Sequence, residues 1–142
     1  MLRDEIYSLI KQHSACLWGL EKVSSAVGIF DFIRILKHPK GLEFIMENDF
    51  LPLSILDKYR NELENENIFF DGVHTLVNPR FVLILGGQIN IEVNNYEVAS
   101  IYAKGGVLKL TAIDNAFVII ENKSCQLINE VLDNAKVREF EI

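Results

Sequence analysis

The chain has 142 residues, 49% of them hydrophobic, and a formal net charge of −6. That hydrophobic share excludes an intrinsically disordered chain. The acidic excess is even, 11 Asp+Glu against 8 Lys+Arg in residues 1–67 and 9 against 6 in residues 68–142. Neither half offers the basic face that nucleic acid requires, so nucleic acid is not an expected partner.

Met1-Leu2-Arg3-Asp4-Glu5 lacks the charged-then-apolar layout of a signal peptide. The longest apolar runs, such as Phe81 to Leu85, fall far short of a membrane span. The expectation is a cytoplasmic chain with no membrane partner. Cys16 and Cys125 lie far apart without partner spacing, so neither a disulfide framework nor a metal knuckle is indicated.

Residues 1–67 read as a helical head that caps the rest of the chain. Leu2, Ile6, Leu9, Ile10, His13 and Leu17 recur at three- and four-residue steps, the stripe of an amphipathic helix. Ser24 and Ser25 are expected to cap a second helix with Val27, Phe30, Ile33 and Leu36 on one side. Pro39 disfavours helix at His38 and breaks the chain there. A short apolar element, Leu42 to Met46, comes next. Pro52 suits the first turn of another helix carrying Ile55, Leu56, Tyr59 and Leu63, with Asn61 to Asn67 as its end and linker.

Nothing in the head assembles chemistry. His13, His38 and His74 are the only histidines, and no two have the spacing of metal ligands. Trp18 reads as a packing residue. Glu62, Glu64 and Glu66 alternate and so do not share a helical face. His13 and Cys16 would approach each other on a helix, but no carboxylate is placed to orient the pair. Phosphate-binding loops, dinucleotide fingerprints and nucleophile elbows are absent from the sequence. No catalytic, cofactor-binding or metal-ligating residue is assigned, no cofactor is expected, and an enzyme is disfavoured.

Residues 68–142 read as a β-repeat. Asp71-Gly72 is a turn, with Val73 to Val77 as its return strand. From Gly86 to Val137 a turn pair is followed by a compact residue, a variable one and an aliphatic. The copies are Gly87-Gln88-Ile89, Tyr96-Glu97-Val98, Gly106-Val107-Leu108, Ala116-Phe117-Val118, Cys125-Gln126-Leu127 and Ala135-Lys136-Val137. Gly and Asn at the turns accept positive φ at little cost. An antiparallel meander or sandwich and a β-solenoid with two strands per coil both use such turns. The near-identity of Asp114-Asn115-Ala116-Phe117-Val118 and Asp133-Asn134-Ala135-Lys136-Val137, 19 residues apart, favours the solenoid. Only stacking makes one corner resemble the corner a coil later. Asn115 and Asn134 are the expected turn residues. The fold class is therefore α+β: a helical head, then a short solenoid of about 19-residue coils.

The segment Gly41 to Pro52, with Asp114-Asn115-Ala116-Phe117-Val118-Ile119-Ile120, resembles a group of small uncharacterised proteins of Bacteroidetes genomes and their phages. Those proteins pair a helical head with a short repeat tail. The tail is also similar to longer bacterial β-solenoids with Asp-Asn-Ala-x-Val repeats. The resemblance implies a bacterial or phage-borne protein and transfers no activity or site residue.

The function expected is a non-enzymatic structural or protein-interaction module. Its contacts would lie on outward positions such as Glu97, Lys109, Phe117 and Gln126, or at the C-terminal end, through a protein partner or self-association. Phe117 to Ile120 is apolar on both faces, so that segment is expected to be covered on both sides or to lie against a partner. The alternative is a small-molecule or carbohydrate-binding β domain using Tyr96, Tyr102 and Phe117 as aromatic surface.

Overall fold

The computed structural model describes residues 2–142 and divides into two compact units, Met1–Glu66 and Asn67–Ile142. The first unit holds α1 (Leu2–Gln12), α2 (Leu17–Ser24), α3 (Ile29–Lys37), α4 (Pro39–Glu47), α5 (Leu53–Lys58) and α6 (Arg60–Asn65). Ile6 and Ile10 bury the α1 stripe, but it does not extend to Leu17. Ser14 adopts φ 59°, and the Ala15 amide donates back to the Ile10 carbonyl at 3.0 Å. That left-handed residue ends α1. Leu17 instead opens α2 and is 70% exposed.

Ser24 and Ser25 do not cap α3. Both hydroxyls donate backwards to the Glu21 carbonyl, closing α2. Gly28 is the α3 N-cap, and the Asp31 carboxylate accepts from the Val27 amide at 2.9 Å. The buried side of α3 is Phe32, Ile33 and Leu36, while Val27 and Phe30 face solvent. His38 is extended, as its proline neighbour demands, and its Nδ1 accepts from the Lys40 amide at 3.1 Å to cap α4. The helix expected to run on from Pro52 is interrupted at Tyr59 (φ −109°, ψ 25°). Most of Asn61 to Asn67, expected as helix end and linker, belongs to α6.

The second unit is a β-solenoid. Its strands are β1 (Ile68–Phe69), β2 (Val73–Val77), β3 (Phe81–Ile84), β4 (Gln88–Val93), β5 (Val98–Ala103), β6 (Val107–Ala112), β7 (Phe117–Asn122), β8 (Gln126–Val131) and β9 (Lys136–Glu141). Odd strands form one sheet, β1-β3-β5-β7-β9, and even strands the other, β2-β4-β6-β8. Every pairing is parallel, which excludes the meander. Asp71-Gly72 is thus a corner between sheets, and Val73–Val77 pairs with β4 rather than returning along β1.

The register gives the coil length. Ser100 pairs with Ile119 and Lys109 with Ile128, 19 residues on in each case, whereas Ile68 pairs with Leu83, 15 on. The first coil is short because its Asn78-Pro79 corner replaces a longer corner at Asn94 to Glu97. Two side-chain bonds join these corners, from Asn78 Nδ2 to Asn94 Oδ1 at 2.8 Å and from the Asn94 amide to Asn78 Oδ1 at 2.9 Å.

The phase of the repeat differs from the sequence reading in one place. Val98 pairs with Phe117, so Glu97-Val98-Ala99 is the counterpart of Ala116-Phe117-Val118. The corner is defined by a left-handed residue at Asn95 (φ 54°), Asp114 (58°) and Asp133 (54°), not at Asn115 or Asn134. A carboxylate in the next coil braces each preceding corner. Asp114 Oδ2 accepts from the Asn95 amide at 2.9 Å, and Asp133 Oδ2 from the Asp114 amide at 3.3 Å.

Alternation along the strands sends one row of each sheet inward. Ile89 and Leu108, Ile91 and Leu110, Val82, Ile101 and Ile120, and Ala99 and Val118 form the core, all but sealed from solvent. His74 heads one such row, stacked on Phe69 at 4.3 Å with its Nε2 bonded to the Asp71 carbonyl. Each fully buried Ile or Leu contributes about 1.5–3 kcal/mol, which makes these rows the main source of stability.

Candidate functional site

The last coil departs from the rule that builds the others. In β8, Leu127 continues the Leu108 row, but Asn129 stands where Leu110 stands one coil earlier. In β9, Val137 continues the Val118 row, but Glu139 takes the place of Ile120 and Glu141 that of Asn122. The inner rows thus turn polar at Asn129, Glu139 and Glu141 within one coil, while Val131 keeps the Ala112 row aliphatic. Glu139 Oε2 accepts from Asn122 Nδ2 at 3.0 Å, and Asn122 also bonds the backbone of Cys125 on both its amide and carbonyl. This side-chain brace replaces a glycine corner, because Cys125 occupies the place that Gly87 and Gly106 hold in earlier coils. Burial raises the Cys125 thiol above its ordinary range. A backbone hydrogen bond at Leu108 works against the rise, and Glu139 adds to it.

The same coil exposes apolar side chains on its outer face at Ile128 and Phe140, on its inward row at Val131, and just past its strands at Leu132 and Ile142. Ile128, Val131, Leu132, Phe140 and Ile142 are each close to half exposed or more. β8 and β9 also end their sheets, each with a strand partner on one side only. Such edges are templates for an added strand. On the outer face of β9 lie Lys136, Arg138 and Phe140, opposite in sense to the inward Glu139 and Glu141.

The other residues singled out in the sequence do not converge. Lys109 and Gln126 lie outward on the even sheet and Phe117 outward on the odd sheet, while Glu97 is an exposed corner residue. Tyr96 is a corner residue, 82% exposed. Tyr102 lies outward beside Phe81, with ring centroids 5.8 Å apart, and burial followed by the nearby Glu121 raises its phenol. The doubly apolar Phe117–Ile120 segment resolves into Phe117 and Ile119 outward and Val118 and Ile120 in the core. His13 and Cys16 are separated by the left-handed Ser14, so they share no helix. Among the described residues, no group of three or more His, Cys, Asp or Glu side chains is placed to hold a metal, and no helix is long and apolar enough to cross a membrane.

In the helical unit the structure brings together residues that the sequence reading kept apart. Trp18 of α2 packs on His38 with ring centroids 4.3 Å apart, and Lys40 Nζ stands 5.6 Å from the indole centroid. No sequence signal pairs them, since α2 and the His38 cap meet only through packing.

Comparison with protein-family models, curated proteins and solved structures finds no match for this chain.

Proposed function

We propose that the chain is a non-enzymatic interaction module whose last coil docks a protein partner by accepting one of its strands. The observation that carries this reading is the concentration of exposed Ile128, Val131, Leu132, Phe140 and Ile142 on a coil whose two strands end their sheets. Strand addition at such an edge draws affinity from main-chain bonds and specificity from alternate side chains.

The charges on β9 favour a different protein over a second copy. A two-fold pairing of β9 with itself keeps inward residues opposite inward ones, so residues of equal parity meet. Centred on Val137, it sets Lys136 against Arg138; centred on Arg138, it opposes two guanidiniums. Centred on Glu139, it opposes two carboxylates, and centred on Phe140 it sets Glu139 against Glu141. Like charges directly opposite are destabilising. A partner strand escapes this penalty by bringing cations or amides to the inner row and acids to the outer one.

The test is a native pull-down with the intact chain beside Ile128→Glu and Phe140→Glu, both outward positions whose change leaves the core intact. A protein retained by the parent and lost from both variants supports the docking surface. Identical retention by all three chains, or a parent that sediments as a dimer and retains nothing, overturns it.

A further inference from the structure

In the helical unit, Trp18, Lys22, Ser25, Asp31, Arg34 and His38 line an open groove of about 400 Å³. Trp18 also borders an apolar cavity of about 40 Å³, walled by Ile10, Val23, Phe32, Leu36 and Phe44, with room for roughly one water molecule. The indole therefore joins a greasy interior to a polar groove. It is neither fully packed nor fully exposed.

Charge in the groove runs against the charge of the chain. The protein carries a net −6, yet Lys22 and Arg34 line this groove, and Lys40, from the wall of the adjoining cavity, stands over the same indole. Asp31 is the acid in the groove wall, and it is engaged by the Arg34 guanidinium and the Val27 amide. Lys22 and Lys40 have no ion-pair partner among the described residues. Lys40 instead rests over the indole, a contact worth about 0.5–1 kcal/mol at an exposed site and easily exchanged for a stronger one. His38 is held in place on the other element, since its Nδ1 is committed to the Lys40 amide.

We propose that this groove binds a small planar aromatic anion, an aryl phosphate or aryl carboxylate. Its ring lies against the Trp18–His38 pair and its charge between the ammonium groups of Lys22 and Lys40. Offset aromatic contacts supply the orientation, and two uncompensated cations supply selectivity for negative charge. The site lies wholly within the helical unit and does not depend on docking at the last coil.

Trp18 is the sole tryptophan of the chain, so tryptophan emission reports on this groove and the small cavity beside it. Phenyl phosphate and benzoate, titrated into the intact protein, are expected to change that emission saturably, and their relative affinities identify the preferred anion. Lys22→Ala and Lys40→Ala should each weaken the tighter probe by about two- to fivefold, the range for an exposed charged contact. Binding should also weaken with added salt. Both lysines are exposed, so an unchanged circular dichroism spectrum is expected and separates lost binding from lost folding. Absence of saturation with either probe overturns the proposal. So does an equal response to inorganic phosphate or to benzyl alcohol, which carry only the charge or only the ring. Lysine variants that bind as the parent does overturn it as well.

Discussion

At Gly106 the backbone has φ +80°, and an added Cβ would stand 2.4 Å from the Gly87 carbonyl oxygen of the coil below. Stacked corners leave no room there, and the neighbouring atom is backbone that cannot swing aside. Gly106→Ala should therefore cost about 3 kcal/mol, strain and overpacking together, read as a lower urea midpoint. Gly105 lacks the positive φ, and its added Cβ would meet Leu85 at 3.1 Å. Gly105→Ala should cost about 1 kcal/mol, and equal losses at both sites would refute the role given to the left-handed corner. Cys125 yields a pH prediction from the same column of the coil. Burial raises its thiol, as it raises the Tyr102 phenol, so both pKa values are higher folded than unfolded. Their contribution to stability is complete below the unfolded values and is lost as pH climbs through the folded ones. Urea midpoints should hold near neutrality and fall above about pH 8.5, and Cys125→Ala should flatten the first part of that fall.

At the scale of the strand, the inward position that changes most between β7 and β9 is Ile120 in one and Glu139 in the other. Glu139→Ile removes the opposed carboxylates from the two-fold register centred there, leaving two isoleucines face to face and Arg138 beside Phe140. That variant should dimerise while the parent does not, seen as a doubled mass by light scattering; a monomeric Glu139→Ile chain would remove the argument from like charges. Position 139 also shows how far the sequence alone could be read. The 19-residue coil was legible because stacking forces Asp114-Asn115-Ala116 and Asp133-Asn134-Ala135 into one geometry. The phase of the preceding corner was not, because Asn95-Tyr96-Glu97 meets the same demand with unlike side chains and only the left-handed first residue is common. The exposed C-terminal end could be foreseen from Phe140 and Ile142, but the charged inner row could not. Lys136 to Glu141 alternates in charge whichever way it faces, and only the register with β7 turns the acids inward. The Trp18 groove was illegible for a different reason, as three helices bring its residues together and none carries a motif.

For the solenoid as a whole, a parallel stack has no natural end. Each coil presents its inner rows to the next, and a coil with nothing stacked on it exposes them. In the coil of β8 and β9 polar groups enter the inner rows at Asn129, Glu139 and Glu141, and the Asn122–Glu139 bond ties this coil to the one before. Inward-pointing charge of this kind is a recognised way to blunt a sheet edge. A chain truncated after Asn122 would end on Leu108, Leu110 and Ala112 in one sheet and Val118 and Ile120 in the other, every one buried in the intact protein. Uncovering those rows creates a contiguous apolar end, which sheets of this type bury against one another. The truncated protein should keep its strand signal by circular dichroism yet sediment as large assemblies, while the full chain stays small at equal concentration. A truncated chain that remained monomeric would show that the polar inner row is not what ends the stack. Adding back residues 123–142 with Asn129→Leu and Glu139→Ile separates length from polarity. Restored length without Asn129 and Glu139 in the inner rows should still assemble, as aliphatic inner rows left uncovered do.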